Sequence, residues 1–201
     1  MPFVIAIAGP SCGGKTQLAQ WLVDHFEHLN PGLLRVDSYY HVFGHLSLDE
    51  RSEINFDEPN AVDWPLLTQH LEILKLGGSV HQPVYDYASH TRTQNQNPLN
   101  PGHLLIVEGL FSLNTRLHKY ADHKIFVQLE MHKCLRRRIE RDVRERGRSE
   151  QSIRDQFKSQ VEPMYELHIA SDIEHADLVV SGEAPFSESL KQVENLLAGV
   201  A

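Results

Sequence analysis

The run Gly9-Pro10-Ser11-Cys12-Gly13-Gly14-Lys15-Thr16 fits the spacing G-x-x-x-x-G-K-[ST]. Residues of these types at this spacing can hold a polyphosphate. Glycines let consecutive backbone N–H groups turn toward phosphate oxygens, the lysine reaches the β- and γ-phosphates, and the Ser/Thr hydroxyl serves Mg²⁺. Gly9, Ser11, Gly13, Gly14, Lys15 and Thr16 are therefore the candidate contacts to a nucleoside triphosphate, with Thr16 also a metal candidate. Glu108 follows a short apolar run and is the second metal candidate, because Mg²⁺ takes hard oxygen ligands, often through water. Asp37 follows another such run and is the best candidate base. Arg136, Arg137, Arg138, Arg141, Arg144, Arg146 and Arg148 crowd one segment, with Gly147 as a hinge between the last two. Guanidinium matches phosphate oxygens with paired donors, so a closing segment of arginines suits phosphoryl transfer. Because Glu140, Asp142 and Glu145 interleave, the same pattern also fits a solvated, salt-bridged surface helix.

These residues need elements to place them. Phe3 to Ala8 reads as a buried parallel strand leading into the glycine loop. Leu18, Leu22, Phe26 and Leu29 then recur at helical spacing until Asn30-Pro31-Gly32 stops the helix. Leu33 to Val36 reads as a strand ending at Asp37. Asp63 reads as an N-cap with Pro65 in the first turn, and Leu67, Leu71 and Leu74 form a stripe that Gly77-Gly78 ends. Residues 79–100 read as extended strands and turns, a β-excursion suited to recognising a substrate. Leu104 to Val107, Lys124 to Leu129 and Ala176 to Val180 are further strands. Ser149 caps a helix bearing Ile153, Phe157 and Val161, and Ser187 starts a last helix with Leu190, Val193 and Leu197. The alternation predicts an α/β domain with a parallel sheet of about five strands covered by helices on both faces. Asp37, Glu108 and the glycine loop then share the carboxyl rim of that sheet, where ligands bind.

The chain has 201 residues, enough for a single domain spanning 1–201. Its net charge of −8 argues against nucleic acid as partner, while the local concentration of arginine suggests a small anionic ligand. No run is long and apolar enough to suggest a membrane span, and no secretory signal is evident. Two cysteines, Cys12 and Cys134, form no disulfide framework, which points to a reducing cytosol. The 13 histidines show no metal-site spacing and read as mostly surface residues.

Several blocks, in order and covering most of the chain, resemble the uridine kinase (uridine–cytidine kinase) family. They are Asp37-Ser38-Tyr39-Tyr40, Asn55-Phe56-Asp57-Glu58-Pro59-Asn60-Ala61-Val62-Asp63, Pro83-Val84-Tyr85-Asp86-Tyr87-Ala88-Ser89-His90-Thr91-Arg92, Glu108-Gly109 and Arg137 to Arg148. The resemblance implies a P-loop NTPase-type sheet with a small β-insert (79–100) and an arginine-rich lid (136–156). It implies transfer of the γ-phosphate of ATP or GTP, with Mg²⁺, to the 5′-hydroxyl of uridine or cytidine in pyrimidine salvage. On that likeness Asp37 is the base, and Lys15 and Arg141 are catalytic. Asp57 and Arg138 hold the ribose hydroxyls, and Tyr40 lines the site. Phe56, Tyr85, Tyr87 and His90 contact the heterocycle, and the last three are in any case a polar aromatic set able to grip one. Arg146, Arg148 and Gln156 belong to the lid and the phosphate contacts. A homo-oligomer, commonly a tetramer, is implied by the same likeness.

Three departures stand out: Cys12-Gly13 in the phosphate loop, the amide- and proline-rich Gln94 to Pro101, and Ser181-Gly182-Glu183 after the last strand. The nearest rival function is a related kinase acting on another small alcohol, phosphoribulokinase- or pantothenate kinase-like. A sugar phosphate acceptor should require cations in the insert, where Arg92 is the only Lys or Arg. A GTPase is disfavoured by the lack of its guanine and switch motifs. A non-catalytic nucleotide sensor is the alternative from another class, and it should have lost the base or the lid.

Overall fold

The computed structural model describes residues 1–183 and 187–198. The remaining positions of the expected 1–201 domain, and the side chain of Leu197, lie outside the described residues. In chain order the elements are β1 (Phe3–Ala8), α1 (Lys15–His25), β2 (Gly32–Arg35), α2 (Leu48–Ser52), α3 (Trp64–Lys75), β3 (Val80–Asp86) and β4 (Thr91–Leu99). They continue with β5 (Leu104–Glu108), β6 (His123–Gln128), α4 (Met131–Arg146), α5 (Glu150–Gln156), α6 (Glu162–His168), β7 (Leu178–Ser181) and α7 (Ser187–Leu197).

Strands β2-β5-β1-β6-β7 form one sheet in that order, and every pairing in it is parallel. The period of two along each strand divides its residues between two cores. Ile5 and Ile7 of β1, Leu104 and Ile106 of β5, and Ile125 and Val127 of β6 pack with Leu18, Ala19 and Leu22 of α1 and Val193 of α7. Val4, Ala6, Leu105, Val107 and Phe126 point to the other face and pack with Leu67, Leu71 and Leu74 of α3. Each such fully buried leucine contributes about 1.5–3 kcal/mol. With helices on both faces, the expected layered sheet is present. Its register sets Glu108 opposite Ile7 and beside Arg35, so the carboxyl ends of β1, β2 and β5 share one rim.

Several boundaries differ from the sequence reading, each for a local reason. The first helix ends at His25; Phe26 is buried from its C-cap and Leu29 from the 3₁₀ turn that follows (Glu27–Leu29). Strand β2 ends at Arg35, and Asp37 rides on a 3₁₀ turn, Val36–Tyr39. Helix α2 was not anticipated: it buries no residue, so it has no apolar stripe, yet Ser47 and Glu50 form a reciprocal capping box that the sequence does display. The helix begun at Ser149 passes through a π-helical turn (Phe157–Val161) before α6. Pro163 at the start of α6 lacks an N–H, and the wider turn absorbs the missing bond.

The insert is an antiparallel hairpin, β3 with β4. The amide-rich stretch does not interrupt β4, which continues through Asn97 and Pro98 to Leu99. Each strand of a two-stranded ribbon has a free edge, so a proline costs less there than inside a sheet. The exposed amides offer no packing signal; pairing with β3 holds them extended. Arg92 anchors the hairpin to the body by donating to the Tyr39 carbonyl (2.7 Å) and to Asp63 Oδ2 (3.1 Å). No helix among the described residues is long and apolar enough to cross a membrane.

Candidate active site

The loop between β1 and α1 is built by close approach. A Cβ on Gly9 would stand 2.2 Å from the Val127 carbonyl oxygen, and one on Gly13 2.8 Å from that of Pro10. Gly14 takes φ 110° at the N-cap of α1 and leaves that helix end without a side-chain cap, as an anion-binding terminus requires. Gly9, Gly13 and Gly14 therefore shape the loop, whereas Ser11, Lys15 and Thr16 line the cavity beside it. The Lys15 ammonium, on a buried side chain, donates to the carbonyls of Gly9 (3.0 Å) and Pro10 (2.8 Å). Cys12, one of the departures, takes φ 60° and also lines the cavity. Gly182 belongs to another of the departures. A Cβ there would fall 2.0 Å from the Gly13 carbonyl oxygen, so β7 ends hard against the phosphate loop. Gly182→Ala is expected to raise the KM for the triphosphate about tenfold or more, because displacing the loop by an ångström misplaces its donors. Steady-state kinetics with varied triphosphate check this.

All the side chains singled out from the sequence as catalytic, substrate or metal candidates line one cavity of about 460 Å³. Lys15 and Asp37 both line it, and the Lys15 charge is felt at the Asp37 carboxyl. At the sheet rim, Thr16 Oγ1 lies 3.4 Å from both carboxylate oxygens of Glu108. Burial pushes the Glu108 carboxyl up to about 7, and the neighbouring Asp37 charge pushes the same way. A hydroxyl and a buried carboxylate are the hard oxygen donors that Mg²⁺ takes, and a cation would relieve that desolvation. The residues present fit the metal.

Burial likewise raises the Asp37 carboxyl above the ordinary carboxylate range, against the opposing pull of the Lys15 ammonium. Tyr87 Oη donates to Asp37 Oδ2 at 3.2 Å, and Asp37 Oδ1 has no hydrogen-bond partner among the described residues. Tyr87 lines the cavity with the other aromatics and packs edge-on against Tyr85 at 5.2 Å. Its hydroxyl reaches the acidic corner, and its ring lies under Arg146, 4.8 Å from the guanidinium carbon.

The other aromatics cluster beside Tyr87. Phe56 stacks on His90 at 5.8 Å and 15°, and packs with Tyr40 (5.1 Å) and Tyr85 (5.8 Å). Tyr85 is buried and its hydroxyl has no partner among the described residues, although it lines the cavity. A buried polar atom left unpaired is costly, and a ligand's polar edge would satisfy it. Burial, reinforced by Arg146 and Arg148, lowers the His90 pKa, so its imidazole is neutral at pH 7 and carries one donor and one acceptor. Asp57 is buried nearby; burial raises its carboxyl and the Arg138 charge opposes that rise.

On α4 the two readings of the arginine run apply to opposite faces. Arg136 pairs with Glu140 and Arg144 with Glu145 in solvent. Arg138, Arg141, Arg146 and Arg148 face the cavity. Asp142 was read as one of the solvating carboxylates, and the structure corrects this: it is fully buried among those four arginines. Arg138 Nη1 donates to Ser11 Oγ (3.0 Å), and Gln156 Oε1 accepts from Arg138 Nη2 (3.2 Å) and Arg148 Nη1 (2.7 Å). Helix α4 and the segment after it are thereby joined to the loop between β1 and α1.

Arg35, Ser38, Gln82 and Asn97 also line the cavity and were missed. Arg35 could have been found: on an extended strand it falls on the same side as Asp37. It lies 3.7 Å from Glu108 Oε1 and is occupied there. Arg92, the cation of the insert, is turned inward to Asp63 and does not line the cavity.

Comparison with known proteins identifies the family. The profile of the Phosphoribulokinase / Uridine kinase family matches residues 4–184. The uridine kinase of Enterobacter sp. (strain 638) is 41% identical over 184 residues, covering 88% of this chain and 85% of that protein. The uridine kinase of Salmonella typhimurium (strain LT2) matches to the same extent, 41% over 184 residues, 88% of this chain and 85% of its own. Among solved structures, the phosphoribulokinase from Rhodobacter spheroides superposes with TM-score 0.68 at 16% identity, over 90% of this chain and 70% of that one. A possible uridine kinase from Bacillus stearothermophilus gives TM-score 0.62 at 17% identity, over 89% and 88%. At such identities the structural likeness shows the fold alone.

Proposed function

The chain belongs to the phosphoribulokinase/uridine kinase family, and from that premise we propose that it is a nucleoside kinase acting on uridine or cytidine. The observation that carries the choice of acceptor is the pocket of Tyr40, Phe56, Tyr85 and His90, with its unpartnered Tyr85 hydroxyl, opening on the cavity that also holds Lys15 and Asp37. Stacking faces and neutral hydrogen-bonding edges suit a pyrimidine. A sugar phosphate would require free cations on the acceptor side, where Arg92 is engaged by Asp63, Arg35 by Glu108, and Arg138 by Ser11, Gln156 and Asp142.

In this reading Asp37 accepts the proton of the 5′-hydroxyl as its oxygen attacks the γ-phosphorus. Asp57 and Arg138 orient the ribose. Lys15 leaves the carbonyls of Gly9 and Pro10 to meet the β- and γ-phosphates, and Arg141, Arg146 and Arg148 offset charge on the moving phosphoryl group. Gln156 steadies Arg138 and Arg148 and closes the lid side. Thr16 and Glu108 would hold Mg²⁺, which supplies neutralising charge at the phosphate oxygens. ATP or GTP is the donor, the setting is pyrimidine salvage in the cytoplasm, and the protein is a homo-oligomer, which size-exclusion with light scattering would measure.

The test is a transfer assay of purified protein with ATP and GTP against uridine, cytidine, adenosine, pantothenate and ribulose 5-phosphate. Formation of a pyrimidine nucleoside 5′-monophosphate is expected. Transfer to ribulose 5-phosphate or pantothenate in preference to uridine and cytidine would overturn the acceptor. Tyr85→Ala and His90→Ala are each expected to raise the nucleoside KM about tenfold or more, with the ATP KM little changed, since they remove acceptor binding alone. Equal effects on both constants would remove the aromatic pocket as the base site.

A further inference from the structure

One buried carboxylate has no part in the chemistry above and yet touches every lid arginine that faces the cavity. Arg141 Nε donates to Asp142 Oδ1 at 2.7 Å, with Arg146 Nε 3.6 Å from the same oxygen. Arg138 Nε and Arg148 Nη1 each lie 3.7 Å from Oδ2. Asp142 has no solvent exposure and is absent from the cavity lining, whereas all four arginines line it. Its backbone works in the same sense. The Asp142 carbonyl accepts from the N–H of Gly147 and, at 3.2 Å, from that of Arg148. The left-handed turn at Gly147 is therefore closed on the residue whose side chain collects the guanidiniums.

Four like charges gathered this closely repel one another, and a single carboxylate leaves an excess of positive charge directed at the cavity. Each guanidinium spends one edge on Asp142 or near it, which leaves its remaining donors for a ligand. We propose that Asp142 is the built-in counter-ion of the lid, a positioning residue that holds Arg141, Arg146 and Arg148 ready for a polyphosphate and yields part of that pairing to the incoming anion; Arg138, the fourth, is held independently by Ser11 and Gln156. This rests on the kinase reading for its activity readout, but not for its binding readout.

The role predicts a particular split. Asp142 competes with phosphate oxygens for the arginines in the ground state and aligns them for the transition state. Asp142→Asn should therefore lower kcat by about 30-fold or more, while the ATP KM stays level or falls and the nucleoside KM holds. Calorimetry with inorganic tripolyphosphate should show equal or tighter binding than wild type. Asp142→Glu, which keeps the charge, should return kcat to within about tenfold of wild type. A merely structural role would loosen the lid and weaken every constant together. Wild-type kcat in Asp142→Asn, or a raised ATP KM with weakened tripolyphosphate binding, overturns the proposal. If the asparagine variant is not recovered folded, the glutamate variant decides: loss of both turnover and tripolyphosphate affinity there overturns it, and retention of both upholds it. Should wild type phosphorylate no nucleoside, the acceptor assignment falls, while the tripolyphosphate comparison still tests the counter-ion.

Discussion

Asp37→Asn is expected to lower kcat by about 10²–10⁴-fold, the usual contribution of a positioned general base. The nucleoside should still bind. The amide is nearly isosteric, can still accept a hydrogen bond from Tyr87 through its oxygen, and leaves Tyr40, Phe56, Tyr85 and His90 untouched. What it lacks is a site for the proton of the 5′-hydroxyl. The pH profile adds a second reading. Burial raises the Asp37 carboxyl, so its ionised, proton-accepting form is lost on acidification at a higher pH than for an ordinary carboxylate. Turnover of wild type should fall as pH drops through that raised value, and the asparagine variant should lose the Asp37 part of that fall. Equilibrium binding of nucleoside and a kcat–pH curve measure both. Turnover within about threefold of wild type in Asp37→Asn would remove Asp37 as base.

The parts of this molecule that were legible in the sequence are those governed by local rules. The phosphate loop was legible because close approach and positive φ admit little except glycine at Gly9 and Gly14. The sheet was legible because buried parallel strands leave continuous apolar runs, as in β1 and β5. The placement of Asp37 and Glu108 at the cavity was legible from where those runs end. What escaped was set by distant partners. Asp142 and Glu140 are both acids on one arginine-rich helix, and nothing local marks the first as buried and the second as solvated. That depends on α4 packing against α5 and the phosphate loop. Gly182 escaped for the same reason, since its neighbour at Gly13 is far away in the chain. Tyr87 sits on a hairpin that reads correctly, yet its hydroxyl partner, Asp37, lies on another strand's turn. Within the hairpin, the pairing of the amide-rich half of β4 escaped, because its side chains are exposed and only cross-strand pairing holds them.

In the proposed lid, Arg141 is the residue whose loss should cost most. Its Nε is committed to Asp142 Oδ1 at 2.7 Å, which fixes the guanidinium plane and leaves its other nitrogens to the cavity. Arginines that stabilise charge on a transferring phosphoryl group contribute about 10³–10⁵ in turnover. Arg141→Ala is therefore expected to lower kcat by about 10³-fold, near the lower end because Arg146 and Arg148 remain. The ATP KM should change much less, since Lys15 and the loop amides keep most ground-state binding. Arg141→Lys separates charge from geometry. An ammonium can stay near Asp142 or reach a phosphate oxygen, but it lacks the planar fork that does both, so lysine should recover little of the loss. Arg144, paired with Glu145 on the solvent face of the same helix, is the internal control. Arg144→Ala removes an equal charge and should change kcat less than about twofold, as exposed pairs contribute little. Single-turnover rates for the three variants measure the phosphoryl step apart from product release. A lysine variant near wild-type rate would mean that the lid acts through net charge alone, and the fork geometry built around Asp142 would then have no catalytic consequence.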